Sequence, residues 1–253
     1  MISSKKVICI IPARLRSSRF PEKMLSYLQG KPLLQWVWEQ AQSVRAFDQL
    51  AFAVDDARIA TLVSSFGAPY YMTSLECSSG TERLAEVLRT QQLDADIWVN
   101  WQGDEPFITE GMIDTLLSTC DEEGDIWTLK KKITHPEEIT SPQVAKIVCD
   151  AKGFALYFSR STIPYYRDAT CAQERVYYKH VGLYAFTRRA LEQIGSLQPC
   201  AIECAEQLEQ LRFLYHHLHI KVHETDQDVF GIDLPEHLAR AEAVLAKRNK
   251  TLI

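Results

Sequence analysis

The chain of 253 residues has no apolar run long enough to span a bilayer, and its first residues, MISSKKVICIIPAR, lack a signal-peptide pattern. Both absences predict a cytoplasmic protein with no membrane insertion. There is no basic excess either: 28 Lys and Arg stand against 33 Asp and Glu, a net charge of −5. A general nucleic-acid binder needs a basic face, so that class is set aside. Cysteine occurs at 9, 77, 120, 149, 171, 200 and 204, an odd number without any C-x-x-C pair. That pattern argues against a disulfide framework or a zinc site and predicts reduced thiols. Neither G-x-x-x-x-G-K-[ST] nor G-x-G-x-x-G is present, which removes the P-loop and the dinucleotide fingerprint. Internal repeats, low-complexity tracts and an obvious linker are also missing.

What remains is an ordinary globular composition, 46% hydrophobic and 24% charged, on a chain long enough to bury a sizeable core. KVICIIPA, QLAFAVD, APYYMT and ADIWVNWQ read as strands. PLLQWVWEQAQSV, opening with Pro32 in its first turn, DARIATLVSSFG, closed by Gly67, and SGTERLAEVLRT read as helices between them. Such alternation predicts an α/β fold with a mostly parallel central sheet and helices on both faces. Beyond about residue 125 the rhythm changes. DIWTLKKKI, AKIVCDAKGFALYFSRS and VYYKHVGLYAFTRR read as longer strands with a turn at AKG. They are followed by one helix, CAEQLEQLRFLYHH, the strand IKVHET and the terminal helix PEHLARAEAVLAK. The expected organisation is a single domain over 1–253 with a β-rich subregion at about 125–200.

Ligands of parallel sheets gather at the carboxyl ends of strands. There, directly after VICIIPA, the acidic chain puts Arg14, Arg19 and Lys23. A solvated basic loop is the bland alternative. A polyphosphate is the better partner, because guanidinium forks pair with phosphate oxygens and lysine supplies a point charge. The stretch VNWQGDEPFI ends a strand and presents Asp104 and Glu105, a pattern that suits Mg²⁺ bridged to phosphates, though an aspartate can also stabilise a turn. Asp233 in FGIDLPEHL could cap the terminal helix or converge on the same metal. In SSGTERL, Ser79, Gly80 and Thr81 would let a ligand approach backbone N–H groups. A capping box from Ser79 to Glu82 explains Glu82 but leaves Arg83 unexplained.

IPARLRSSRFPEK, CSSGTERLAEV, NWQGDEP, ALYFSRSTIP, KHVGLYAF, CAEQLEQLR and GIDLPEHL, in this order, resemble the 3-deoxy-manno-octulosonate cytidylyltransferase (CMP-Kdo synthetase) family. The resemblance covers about residues 5–245 and implies a nucleotide-diphospho-sugar transferase-like, Rossmann-like fold. The implied activity is transfer of CMP from CTP to the anomeric hydroxyl of the acidic eight-carbon sugar Kdo, releasing pyrophosphate, for lipopolysaccharide synthesis. It also implies Mg²⁺ as cofactor and a cytoplasmic homodimer paired through the β-rich excursion. Residue by residue, Arg14, Arg19 and Lys23 match phosphate-holding positions, and Ser79, Gly80 and Arg83 the cytosine and ribose region. Asp104 and Asp233 match the metal ligands and Gln102 a residue facing the sugar. Arg160, His180, Tyr184, Glu209 and Gln210 match the rest of the sugar pocket. Arg14, Lys23, Asp104 and Asp233 are thereby the expected catalytic group. By their residue types alone, His180 would be a core histidine, and Glu209 and Gln210 would face solvent.

The alternatives are the 8-amino analogue of Kdo as acceptor, another nucleotidyl or glycosyl transferase, and a non-catalytic sugar-nucleotide sensor. A glycosyltransferase usually carries Asp-x-Asp at its metal, whereas this chain has GDEP. The chain departs from the family pattern at FPEKML, where FPGKPL is usual, so Glu22 stands where glycine does. A glutamate resists the backbone angles glycine allows and brings a carboxylate near phosphates. The expectation is that Glu22 faces solvent or pairs with a cation. AVDD replaces ATDD ahead of Asp55 and Asp56, and IDLPEHL replaces VDTPEDL while keeping Asp233. The histidines 216, 217, 219 and 223 read as a chance cluster, and Lys130–Lys132 as a solvated strand edge.

Overall fold

The computed structural model describes residues 5–17, 19–122, 124–168, 175–227 and 230–251, with side chains up to residue 246. Cys171 lies outside the described residues. The chain forms two compact units, Lys6–Asp94 with Val99–Ile113 and Val229–Ile253, and Met1–Lys5 with Ala95–Trp98 and Asp114–Asp228.

The first unit holds β1 (Val7–Ala13), β2 (Tyr27–Leu28), β3 (Lys31–Pro32), α1 (Leu33–Gln42), β4 (Gln49–Val54), α2 (Ala57–Ser65), β5 (Tyr70–Met72) and α3 (Gly80–Thr90). It also holds residues 99–100 of β6 (Ile97–Asn100), residues 110–113 of α4 (Glu110–Leu117), and the C-terminal helix Pro235–Thr251. Strand order is β6-β1-β4-β5, with β1/β4 and β4/β5 parallel. Every residue of β1 is buried, as expected of a continuous apolar run covered on both faces of a parallel sheet. Asp56 caps α2 by accepting from Arg58 N–H at 2.8 Å, and Gly67 follows its end at φ 76°. The strands and helices read from the sequence in this unit are all present; a 3-10 turn at Lys23–Leu25, the short strands β2 and β3, and α4 are additional. One detail differs: Pro32 precedes α1 instead of sitting in its first turn. It belongs to a short antiparallel ladder whose turn, Gln29-Gly30, has both residues at positive φ, 51° and 74°. That is the twist a two-residue hairpin demands.

The end of the chain is pinned into this unit by a cluster of Leu28, Leu33, Phe107, Ile232, Ala241 and Leu245, all buried, with Phe20, Trp36 and Phe230 packed against it. Each large apolar side chain so buried stabilises by about 1.5–3 kcal/mol. Phe107 stacks on Phe230 with centroids 4.9 Å apart, and Ile232 N–H donates to Asp104 O at 2.9 Å. Two loops distant in sequence are thus fastened side by side.

The second unit contains β7 (Ile126–Lys132), α5 (Pro136–Thr140), β8 (Lys146–Cys149), β9 (Ala155–Ser159), β10 (Tyr178–Thr187), α6 (Arg188–Ile194), α7 (Ala201–Glu206), α8 (Gln210–Tyr215) and β11 (Ile220–Glu224). Strand β7 lies between β11, parallel to it, and β10, antiparallel; β8 pairs with both β10 and β9. Two expectations are corrected here. The lysine run is not a solvated edge: β7 is paired on both sides, Lys131 is buried with Nζ donating to Asp226 O at 2.8 Å, and Lys130 lies over the Tyr178 ring. The segment 204–217 is not one helix. It breaks at Gln207, which takes φ 53°, and Arg212 of α8 reaches back to both oxygens of Glu203 in α7 at 2.6 and 2.8 Å. The histidines go separate ways, His216 to Gln198 O, His219 beside Asp125 and His223 to the Thr119 hydroxyl. Helices α5 and α6 carry no sequence signal that the periodicity exposed.

Cys9, Cys77, Cys120, Cys149, Cys200 and Cys204 are free thiols. Among the described residues, no helix is long and apolar enough to cross a membrane.

Candidate active site

A cavity of about 370 Å³ opens in the first unit at the carboxyl ends of β1 and β6. Its wall includes Arg14, Arg19 and Lys23 from the loop after β1, Ser79, Gly80 and Arg83 from the start of α3, Gln102 and Asp104 after β6, and Asp233. All the residues predicted for phosphate, cytosine, ribose and metal are therefore neighbours, together with Gln102.

The centre of the cavity is a charge cluster. Lys23 is 6% exposed, and its ammonium lies 2.5 Å from Asp104 Oδ2 and 3.1 Å from Asp233 Oδ1. Arg19 Nη2 lies 3.2 Å from that same Asp233 oxygen. The carboxylate of Asp233 thus turns to the cations; at the helix start, it is the His237 ring that receives Asp233 N–H, at 3.2 Å. Two aspartates from distant loops converge on one ammonium, and the same two carboxylates could hold a metal ion. A third carboxylate stands beside them. Glu105 Oε2 is enclosed and has no hydrogen-bond partner among the described residues. Burial, reinforced by Asp104 and Asp233, pushes its pKa up to about 8.

Gly80 in the wall and Gly103 behind Asp104 both sit where a side chain would collide. A Cβ on Gly80 would come within 3.0 Å of Gln102 Nε2 and 3.1 Å of Pro12 Cγ. On Gly103 it would meet Pro12 O and Leu34 Cδ2, each at 3.0 Å. Ser79 caps α3, accepting from Glu82 N–H at 3.1 Å, while the Glu82 carboxylate receives Ser78 N–H at 2.8 Å. Gln102 donates to Asn100 Oδ1 at 2.9 Å, and Arg14 Nη1 reaches Ser78 O at 3.4 Å.

Arg83 is 2% exposed. Its guanidinium donates to Asp55 Oδ2 at 3.1 Å, to Ser74 O at 3.2 Å and to the Thr73 hydroxyl. Asp55 is a residue whose role the sequence did not reveal. The available signal was the doublet Asp55-Asp56: one carboxylate suffices to cap α2, so the other had a different partner. Glu22 takes φ 55° and pairs through Oε1 with Arg58 Nη1 at 2.7 Å, so the extra carboxylate is matched with a cation.

The residues predicted for the remainder of the sugar pocket belong to the second unit. His180 Nε2 lies 3.0 Å from the Thr128 hydroxyl, and burial pushes the imidazole down to about 3. The Thr128 hydroxyl also faces the Val181 and Leu183 carbonyls at 3.1 and 2.9 Å. Both are acceptors only, so its single hydrogen goes to a carbonyl and Nε2 carries the imidazole proton. The His180 ring packs edge-on to Phe158 and tilted against Tyr184. Gln210 is buried at the start of α8, and its Nε2 is enclosed without a partner among the described residues. Glu209, half-buried, stands next to it. Arg160 spends its guanidinium on backbone carbonyls, Nε to Glu206 O at 2.7 Å, Nη1 to Pro142 O at 2.9 Å and Nη2 to Gln207 O at 3.1 Å.

A doubly fastened pair of acidic loops, a basic loop and a glycine-opened helix at one sheet edge are the parts of a nucleotidyl-transfer fold, and residues 8–220 match the family model described as cytidylyltransferase. A curated 3-deoxy-manno-octulosonate cytidylyltransferase of Thermodesulfovibrio yellowstonii is 42% identical over 94% of this chain and 97% of its own. Another of that name, from Porphyromonas gingivalis, is 45% identical over 96% and 98%. Among solved structures, CMP:2-keto-3-deoxy-manno-octonic acid synthetase complexed with CTP superposes with a TM-score of 0.89 at 38% identity, covering 96% of this chain and 99% of that one. The chain belongs to the 3-deoxy-manno-octulosonate cytidylyltransferase family, and its mostly parallel α/β sheet is of the nucleotide-diphospho-sugar transferase type.

Proposed function

We propose that the protein transfers CMP from CTP to the anomeric hydroxyl of Kdo with Mg²⁺ as cofactor. The observation that carries this reading is the convergence of Asp104 and Asp233 on the Lys23 ammonium inside a cavity rimmed by Arg14 and Arg19. The sugar oxygen attacks the α-phosphorus, the bond to the bridging oxygen of pyrophosphate breaks, and the hydroxyl proton is lost. A tetra-anionic nucleotide and a sugar carboxylate repel each other, so positioning and charge neutralisation govern the rate. Arg14, Arg19 and Lys23 hold the phosphates. Ser79 and Gly80, where a side chain would intrude, receive the cytidine. Gln102 faces the acceptor, and His180, Tyr184, Arg160, Glu209 and Gln210 serve the sugar.

The donor set fits Mg²⁺, a hard cation that takes one or two carboxylates and fills its shell with phosphate oxygens and water. Asp104 and Asp233 would hold it. When bound, it supplies charge neutralisation on the phosphates and acidity to a hydroxyl beside it. The enclosed, unpartnered Glu105 oxygen supports a cation or its water nearby. The same reading has the protein working as a cytoplasmic homodimer; the exposed side chains of Leu156 on β9 and of Tyr165, 61% and 85% accessible, support pairing through that region. Light scattering of the purified protein tests it.

The deciding experiment is pyrophosphate release with CTP, Mg²⁺ and either Kdo or its 8-amino analogue, run beside ATP, GTP and UTP. Release with CTP and Kdo, abolished by EDTA, is the expected result. Release of CDP, or binding of CTP with no pyrophosphate from any sugar, would overturn the reading.

A further inference from the structure

We propose that Asp55 is a positioning residue for the nucleotide, holding the phosphate loop from a buried arginine. This rests on the CTP reading above and assigns a role to a side chain outside the cavity wall. The Asp55 carboxylate is 5% exposed and divides its oxygens between two structures. Oδ1 accepts Leu15 N–H at 2.9 Å, in the loop after β1 and directly beyond Arg14. Oδ2 accepts Arg83 Nη2 at 3.1 Å.

Arg83 in turn donates to the Ser74 carbonyl at 3.2 Å and to the Thr73 hydroxyl just past β5, and that hydroxyl lies 3.0 Å from Val54 O at the end of β4. One buried guanidinium therefore knots the carboxyl ends of β4 and β5 to the first turn of α3, and Asp55 extends the knot to the end of β1. The segments that carry Arg14 and Gly80, both in the cavity wall, are anchored to it.

A structural ion pair needs only the Arg83 contact. The second oxygen is committed to a backbone amide of the loop that presents Arg14, Arg19 and Lys23. Both oxygens accept from groups within the protein, so this carboxylate sits close to an anion site without turning toward it. Loss of the acceptor releases the Leu15 amide and lets the guanidinium of Arg14 move, at the expense of nucleotide affinity and not of sugar affinity.

The test compares Asp55→Ala with Asp55→Asn. Wild-type turnover with CTP and Kdo is measured alongside, and its absence would sink the underlying reading independently. The inference expects the CTP KM to rise at least tenfold in Asp55→Ala and less in Asp55→Asn, whose amide oxygen still accepts from Leu15. The Kdo KM should stay within twofold in both. Hydrogen exchange of the peptide spanning 14–24 should quicken in Asp55→Ala while β1 stays protected. If Asp55→Ala does not fold, Asp55→Asn carries the test, with a CTP KM raised more than twofold and an unchanged Kdo KM. A CTP KM within twofold of wild type in the folded variants, with only the melting temperature lowered, overturns the proposal.

Discussion

Glu22 stands where the family resemblance puts a glycine, and replacing it with glycine is a quantitative test of how the loop after β1 is built. Glu22 sits at φ 55°, ψ 26°, in the left-handed region. For a residue with a Cβ that conformation costs about 1–2 kcal/mol, a cost glycine does not bear. Against this relief, glycine enlarges the conformational freedom of the unfolded chain, worth about 0.5–1 kcal/mol. The replacement also removes the contact with Arg58, in which both side chains are 56% exposed and which screening leaves weak. The terms nearly cancel, so Glu22→Gly should leave the melting temperature within about 3 °C of wild type, given about 2–4 °C per kcal/mol at this chain length. Glu22→Ala keeps the strain and loses the pair, so it should melt about 2–4 °C below Glu22→Gly. Because Arg58 already neutralises the carboxylate, the CTP KM of Glu22→Gly should fall by less than threefold. Differential scanning calorimetry and initial rates against CTP measure both quantities. If Glu22→Ala melts above Glu22→Gly, the backbone conformation assigned to residue 22 is wrong. If the KM drops tenfold, the carboxylate faces the nucleotide and not Arg58.

Lys23→Met should bind Mn²⁺ more tightly than wild type in the absence of nucleotide, because the ammonium no longer competes for Asp104 and Asp233, while its CTP KM rises more than tenfold; titration calorimetry reads the first and steady-state kinetics the second. Gly103→Ala should destabilise by about 1–3 kcal/mol, since the new methyl meets a backbone oxygen and Leu34 at 3.0 Å, and calorimetry should show the loss. For His180, the folded pKa of about 3 lies below the ordinary 6.5, so the unfolded chain binds the extra proton between those values. The stability this neutral ring confers is complete above pH 6.5 and is lost as pH falls toward 3. Denaturant unfolding should therefore lose about 1–2 kcal/mol more between pH 6.5 and 5 in wild type than in His180→Asn.

The elements that the sequence disclosed are those with one dominant signal. β1 is a seven-residue run that is buried throughout, and periodicity alone identifies it. α2 and α3 carry side-chain caps, Asp56 and Ser79. Where two signals competed, the reading failed. The segment CAEQLEQLRFLYHH keeps helical spacing across Gln207, and nothing local announces that this residue turns left-handed. The break is accompanied by an ion pair across it, Arg212 with Glu203, which spacing cannot reveal. The lysines of β7 look like an edge because three cations in a row are usually solvated, yet Lys131 finds the Asp226 carbonyl and Lys130 the Tyr178 ring. The site divides the same way. Cations after β1 and acids after β6 are visible because strand ends in parallel sheets collect ligands. That Asp233 joins them depends on the Phe107–Phe230 stack and the Ile232 to Asp104 backbone bond, which are products of folding. Asp55 and Arg83 look unremarkable one at a time; their meaning is a geometry.

That geometry also explains why a site for a polyanion contains so much negative charge. Arg14, Arg19 and Lys23 alone would repel one another at close range, and a buried ammonium without a counter-charge is expensive to desolvate. With Asp104 and Asp233 as counter-charges, Lys23 can be held 6% exposed in the cavity wall. Arrival of a nucleotide brings phosphate oxygens that compete with both aspartates for the same ammonium. If Lys23 turns to the phosphates, the two carboxylates are left facing each other beside Glu105, whose pKa burial already drives up. A second cation would then relieve them. The Lys23 ion pair and the proposed metal site would be two occupancies of one pair of acids, so nucleotide and metal should bind with positive coupling, each making room for the other's charge.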